Sequence, residues 1–113
     1  MDSQEMVEAF KALSSDKRVE IVRLLRKRCR MCAGAIARKL DISPSSASQH
    51  LRVLKFTGLV EDCRCGNNIH YSLDRKRVSE LSAVTRELLD ISELQSEDDC
   101  GLMRECEQRK RGG

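Results

Sequence analysis

Residues 43–58, SPSSASQHLRVLKFTG, limit the possible folds more than any other stretch, because both ends of a helix are written into them. Ser43 is a side chain that caps a helix start, and Pro44 follows at the first helical position, where its missing N–H is no loss. Ala47, Leu51 and Leu54 then recur at steps of three and four as an inward face, and Gly58 sits where a C-terminal cap belongs. Just upstream, AGAIARKL carries Ile36, Ala37 and Leu40 on one face of a two-turn helix, and only the residues DIS separate the two. Helix, tight turn, helix, with the second helix small and polar at its start, is the layout of a helix-turn-helix.

The flanking sequence extends this unit in both directions. Met6, Val7, Phe10 and Leu13 predict a first helix over 3–13. SSDKRVEIVRLLRK predicts a second, capped by Ser14 or Ser15, with Val19, Val22, Leu24 and Leu25 as its buried stripe. Asp16 in its first turn and Arg26–Arg28 in its last complement the helix dipole. After Gly58, LVEDCRC, GNN and IHYSLD read as strand, turn, strand, with Ile69, Tyr71 and Leu73 alternating. Asp74 then caps a long last helix to about residue 95, striped by Val78, Leu81, Val84, Leu88, Ile91 and Leu94. That stripe exceeds what so small a core can cover, which predicts packing against a second copy. The expected fold is mostly α with a small β-hairpin wing: a winged helix-turn-helix, homodimeric through its terminal helices. Residues 1–95 would form the DNA-binding and dimerisation domain, and 96–113 a polar, cysteine-containing tail.

A length of 113 residues supports one modest core, and 40% hydrophobic with 35% charged residues suits a folded helical chain. The net charge of +3 is unevenly spread: residues 14–40 hold nine Lys or Arg against Asp16 and Glu20. One basic block between neutral and acidic ones is the pattern of a chain that meets a polyanion, although a solvated helix face leaves the same mark. With no Trp and only Phe10, Phe56 and Tyr71 as aromatics, the composition argues against a stacking platform for single strands. No apolar run approaches the ~20 residues of a membrane span, and MDSQEMVEAF lacks the layout of a signal peptide, so a cytoplasmic protein is expected. Enzymatic motifs are missing as well: the histidines are His50 and His70, and there is no glycine-rich phosphate loop, H-E-x-x-H or G-x-S-x-G.

Six cysteines fall in three pairs, Cys29/Cys32, Cys63/Cys65 and Cys100/Cys106. In a reducing compartment such pairs point to metal binding or redox sensing rather than a disulfide scaffold. Thiolate is a soft ligand that suits arsenic(III), antimony(III), cadmium, lead, zinc and copper(I). Cys29, Cys32, Cys63 and Cys65 together form C-x2-C-x30-C-x-C, which is weakly zinc-like because the second pair is two apart.

These residues resemble the ArsR/SmtB winged-helix repressors over about residues 5–92. FKALSSDKRVEIVRLL is similar to the family's opening helices, SPSSASQHLRVLKFTGLVED to its recognition-helix signature, and GNNIHYSLD to its wing return strand. The resemblance implies a homodimer that occupies double-stranded operator DNA until a metal, metalloid or oxidant releases it. It places Ser45, Ser46, Ser48 and Gln49 in the major groove, with Arg52 on a phosphate. Arg64, Asn67 and Asn68 of the wing would reach the neighbouring minor groove, and Lys17, Arg38 and Lys39 the backbone. His50 would seat the helix rather than bind a ligand. In arsenic-sensing members three cysteines near the start of the helix before the recognition helix hold the metalloid. Cys32 matches the first, but Gly34 and Ala37 stand at the later positions, so that cluster is incomplete and Cys29 is the candidate substitute. Cys100 and Cys106 resemble a pair used by other arsenic sensors beyond the dimer helix, and the ligands expected are therefore Cys29, Cys32, Cys100 and Cys106, then Cys63 and Cys65. Residues 75–95 contain no histidine, so the zinc site of the dimer helix is absent. The expected inducer is arsenic(III) or another thiophilic ion, with zinc as a further candidate. Two alternatives stay open: a thiol redox or persulfide sensor on the same fold, and a zinc-stabilised protein-interaction module.

Overall fold

The computed structural model describes residues 1–94. In chain order these form α1 (Ser3–Ala12), α2 (Asp16–Arg28), β1 (Met31–Cys32), α3 (Ala33–Leu40), α4 (Pro44–Phe56), β2 (Val60–Cys65), β3 (Asn68–Leu73) and α5 (Arg75–Leu88). A 3-10 turn over Ile91–Glu93 follows. The strands make one antiparallel sheet in the order β1-β3-β2. This is a mostly helical chain with a small sheet, as the sequence predicts.

The helix-turn-helix closes as its residues dictate. At the end of α3 the Asp41 N–H donates to the Arg38 carbonyl (3.4 Å) and the Ile42 N–H to that of Ala37 (3.0 Å). That pair of bonds is a Schellman closure, with Asp41 in the left-handed region (φ 53°) in place of the usual glycine. The chain reverses within two residues, and Ser43 starts α4 by accepting the Ser46 N–H on its Oγ (3.0 Å). Ala47, Leu51 and Leu54 are fully buried, so the inward face of α4 is the one the spacing predicts.

One cluster holds the fold together, centred on Ile21, Leu25, Ile36, Leu51, Leu54 and Val60, each at 2% exposure or less. Burying a side chain of this size contributes about 1.5–3 kcal/mol. Ile21 lies outside the predicted stripe of α2, yet it is the residue of that helix most deeply buried. Similarly, Ala9 and Ala12 are the fully buried residues of α1, with Met6 partly buried against the core, while Val7 and Phe10 stay 45% and 36% exposed. Small residues win there because they allow α1 to lie close to α4 and α5.

The last helix is shorter than its hydrophobic stripe predicts, ending at Leu88 rather than near residue 95. Asp90 explains the break: its carboxylate accepts the Ser92 N–H (2.9 Å) and starts the separate 3-10 turn. A side chain that bonds its own backbone in this way competes with helix continuation. Leu81 packs into the core, with Val78 and Val84 partly buried against it. Leu88, Leu89, Ile91 and Leu94 remain 59–78% exposed.

Candidate nucleic-acid interface and thiol positions

The N-terminal half of α4 is a prepared surface. Ser45, Ser48 and Gln49 are exposed, and Ser46 is half-buried with its N–H held by the Ser43 cap. His50 lies one turn on and is fixed from behind. Arg18 Nη1 donates to His50 Nδ1 (3.3 Å), while its Nε donates to the Ala12 carbonyl (2.5 Å). A single guanidinium thus joins the end of α1 to α2 and α4. Burial first, and the Arg18 charge second, push the His50 pKa below its ordinary value. This arrangement matches the seating role expected of His50.

The wing projects beside that helix. From Glu61 to Ile69 every residue is exposed, and the strands join through Gly66 (φ 64°) and Asn67. Positive φ at the first residue of a two-residue turn is a position that favours glycine. Only Gly66 takes it, since Asn67 and Asn68 do not adopt positive φ and Asn68 already pairs with Cys65. Lys55 Nζ donates to Asp62 Oδ2 (2.7 Å), tying the end of α4 to β2. Asp62 holds the Lys55 ammonium above its usual pKa, and Lys55 holds the Asp62 carboxyl below its own. A second tie runs through Arg77. Its Nη2 meets Glu5 (2.6 Å), its Nη1 meets Glu80 (3.4 Å), and its Nε donates to the Thr57 carbonyl (3.3 Å). Neither anchor is evident from sequence, because each joins elements that only the fold brings together.

The other proposed contacts scatter around this surface. Arg64, Asn67 and Asn68 sit at the wing tip, and Arg38 and Lys39 in the exposed last turn of α3. Lys17 is half-buried in the first turn of α2. Arg52 lies towards the C-terminal half of α4, beside Arg18, Val53 and Phe56.

The thiols are arranged differently from the sequence motif. Among the described residues, Cys29, Cys32, Cys63 and Cys65 are all free of disulfides. Cys29 ends α2 with φ 69° and ψ −48°, and the Arg30 N–H reaches over it to the Arg28 carbonyl (2.8 Å). That is a γ-turn with positive φ, a strained conformation for a residue with a Cβ. Cys32 both belongs to β1 and precedes the first residue of α3 as its N-cap. Cys32 and Cys63 each pair with His70, from opposite sides of β3, so the three form a row across the sheet. The row leaves the two cysteines about two strand spacings, ~10 Å, apart, too far for both to clasp one ion. Among the described residues no three of His, Cys, Asp or Glu come close enough to hold a metal, so the four-thiolate zinc arrangement is not assembled. Cys100 and Cys106 lie outside the described residues. His70 is the residue that sequence reasoning misses. The alternation of Ile69, Tyr71 and Leu73 places it on the opposite face, but only the register shows what it meets there.

Comparison with known proteins fits this geometry. The family model described as bacterial regulatory protein, arsR family, matches residues 15–62. The transcriptional repressor SdpR of Bacillus subtilis is 44% identical over 69 residues, 61% of this chain and 76% of that protein. The chain belongs to the ArsR family. A cadmium resistance transcriptional regulatory protein CadC homolog of Staphylococcus aureus is 36% identical over 77 residues, 68% of this chain. That match spans 64% of the regulator's length. Among solved structures, the homodimeric winged helix-turn-helix DNA-binding domain of a possible ArsR-family regulator from Mycobacterium bovis is 29% identical. It aligns with 81% of this chain and 83% of its own at a TM-score of 0.64. The fold is therefore a winged helix-turn-helix, and the family is one of transcription regulators, not of enzymes. No helix among the described residues is long and apolar enough to cross a membrane.

Proposed function

We propose that this ArsR-family chain is a homodimeric transcriptional repressor that leaves its operator when its cysteines bind a soft ion, arsenic(III) foremost and cadmium next. The observation that carries the DNA-binding half is the outer face of α4. Ser45, Ser48 and Gln49 are exposed on a helix whose opposite face is locked in the core and whose flanks are anchored by Arg18 and Lys55. Short hydroxyl and amide side chains at the start of a helix suit close approach to base edges and phosphates. Arg64, Asn67 and Asn68 would follow the adjacent minor groove, with Arg38, Lys39, Lys17 and Arg52 on the backbone.

The exposed leucines and isoleucine after Val84, together with Val7 and Phe10, offer the apolar surface for a second copy. The Mycobacterium bovis domain, described as homodimeric, supports this reading. For the inducer, the support is the chemistry and position of the thiols. Cys32 joins the wing sheet to the first helix of the helix-turn-helix, so a ligand drawing on its sulfur acts on the DNA-binding geometry directly. Cys29 lies three residues away, and Cys100 and Cys106 are the further candidates. Such coupling is reciprocal: an inducer that weakens DNA binding is itself bound less tightly on DNA.

The test is fluorescence anisotropy on a duplex from the protein's own promoter, in reducing buffer, titrated with arsenite and then cadmium. Release near stoichiometric thiol supports the proposal, and the Cys→Ser variant that keeps DNA binding but loses release identifies the ligand. If every single Cys→Ser variant still responds to arsenite as the wild type does, the thiolate mechanism is wrong.

A further inference from the structure

Beside the recognition surface lies an open basin of about 880 Å³ between α3, the end of α2 and the sheet. Its wall carries Arg28, Arg30, Arg38 and Lys39, with Cys32 and His70 at the sheet side and, among the described residues, no Asp or Glu. None of these four cations makes an ion pair within the described residues. Among the described residues Lys11, Arg23, Lys55 and Arg77 find carboxylates, whereas Arg52 and Arg64 also lack one. What marks this wall is four cations gathered with no carboxylate among those residues. His70 Nδ1 is buried without a hydrogen-bond partner among the described residues, where such groups ordinarily have one. Cys32, although the N-cap of α3, makes no side-chain capping bond, so its sulfur is not engaged with the helix start. Four cations, a half-buried cysteine and His70 thus line one open cavity.

We infer that this basin admits small anionic disulfides, of which glutathione disulfide is the probe, and that Cys32 is the sulfur they modify. The positive wall concentrates an anionic reagent, and clefts of one sign raise encounter rates by roughly 10–10³. The reaction is thiol–disulfide exchange. Cys32 gives its proton to solvent, its thiolate attacks one sulfur of the disulfide, and a Cys32–S–S bond forms. The original S–S bond breaks and the other half leaves as a thiolate; Cys32 is oxidised and the leaving half reduced. The carboxylates of the bound half then lie among Arg28, Arg30, Arg38 and Lys39.

The regulatory consequence rests on the proposed DNA-binding function. Arg38 and Lys39 are among the residues assigned to the DNA backbone, and an adduct that neutralises them withdraws their charge from the phosphates. This differs from ion sensing in needing no cluster of thiolates: one sulfur and a change of local charge suffice. For every phosphate left without its cation, the salt slope of DNA binding falls by about 0.9.

The experiment uses the full chain, reduced, with three disulfides of different charge: glutathione disulfide (anionic), hydroxyethyl disulfide (neutral) and cystamine (cationic). Modification of the peptide that carries Cys32 is followed by mass spectrometry at low and high ionic strength. The expected result is a rate at Cys32 at least about tenfold higher for the anionic than the cationic reagent at low salt, with the difference shrinking as salt rises. The pair of changes Arg38→Ala and Lys39→Ala should erase most of that preference, whereas Cys63→Ser should not alter it. Equal rates for all three reagents, or anion-selective labelling at Cys29 or Cys65 instead, overturns the site. Anisotropy on the promoter duplex then compares modified with unmodified chain. Unchanged affinity after full modification of Cys32 overturns the regulatory step. A failure of the unmodified chain to bind the duplex counts against the proposed function alone, since the labelling result judges the basin separately.

Discussion

Ser43 is the residue at which stability and DNA binding can be separated. Its Oγ accepts the Ser46 N–H at 3.0 Å and is the side-chain cap of α4. Ser43→Ala leaves that N–H without a side-chain acceptor and should cost about 1 kcal/mol. In a domain of this size that corresponds to a fall in Tm of about 4–8 °C. Ser43→Asp keeps a capping oxygen and adds a negative charge where the helix dipole favours it, by about 0.3–1 kcal/mol. Its Tm should therefore equal or exceed the wild type's. The same charge, however, stands two residues before Ser45 on the face proposed to meet phosphates. At ~5 Å from a phosphate the repulsion amounts to about 1 kcal/mol even at the dielectric constant of water. Operator affinity should then drop about fivefold or more, with the loss easing as salt rises. Scanning calorimetry and anisotropy on one duplex read the two effects separately. A Ser43→Asp variant that binds the duplex like the wild type at low salt refutes the placement of the α4 start against the backbone. A Ser43→Ala variant with no loss of Tm refutes the cap.

Three further outcomes follow from particular contacts. Gly58 has φ 81°, and a Cβ there would lie 3.3 Å from Arg77 Nε, so Gly58→Ala should lower stability in urea by about 1–2 kcal/mol. The loss should be smaller in an Arg77→Ala background, where only the backbone cost remains; equal losses in both contradict the contact. Cys29 occupies a positive φ of 69°, so Cys29→Gly should raise stability by about 1 kcal/mol, and an unchanged or lower denaturation midpoint would count against strain at that turn. The His50 pKa is depressed in the fold, so below the unfolded value near 6.5 the unfolded chain takes up protons more readily than the folded one. Stability should hold above that pH and decline as pH falls through 6.5 towards the lower folded value. His50→Gln should flatten the decline, and an identical slope in both proteins between pH 7.5 and 5 would contradict it.

The helix-turn-helix is legible in the sequence because its signals are local. Ser43, Pro44 and Gly58 mark the ends of one helix, and Ala47, Leu51 and Leu54 its buried face, without reference to any distant residue. The position of the turn before it follows from the same signals, although Asp41 in the left-handed region gives no sequence warning. Legibility fails where tertiary packing decides. Periodicity continues from Val78 to Leu94, but the capping bond of Asp90 stops the helix at Leu88. Val7 and Phe10 are as apolar as Met6 and Leu13, yet the close packing of α1 selects Ala9 and Ala12 for burial. The thiols show the same limit. Spacing suggests a four-cysteine motif, whereas strand register places His70 between Cys32 and Cys63, and the packing of α3 against the sheet sets Cys32 in a basin shared with four cations.

Equilibrium binding of the reduced full chain to its own promoter duplex, beside a scrambled duplex of equal length and over a series of salt concentrations, addresses the central claim most directly. The account predicts tighter binding to the promoter by at least about a thousandfold, with affinity for both falling steeply as salt rises. Equal affinity for the two duplexes, or binding indifferent to salt, would contradict the assignment of α4 and the wing as a sequence-reading surface.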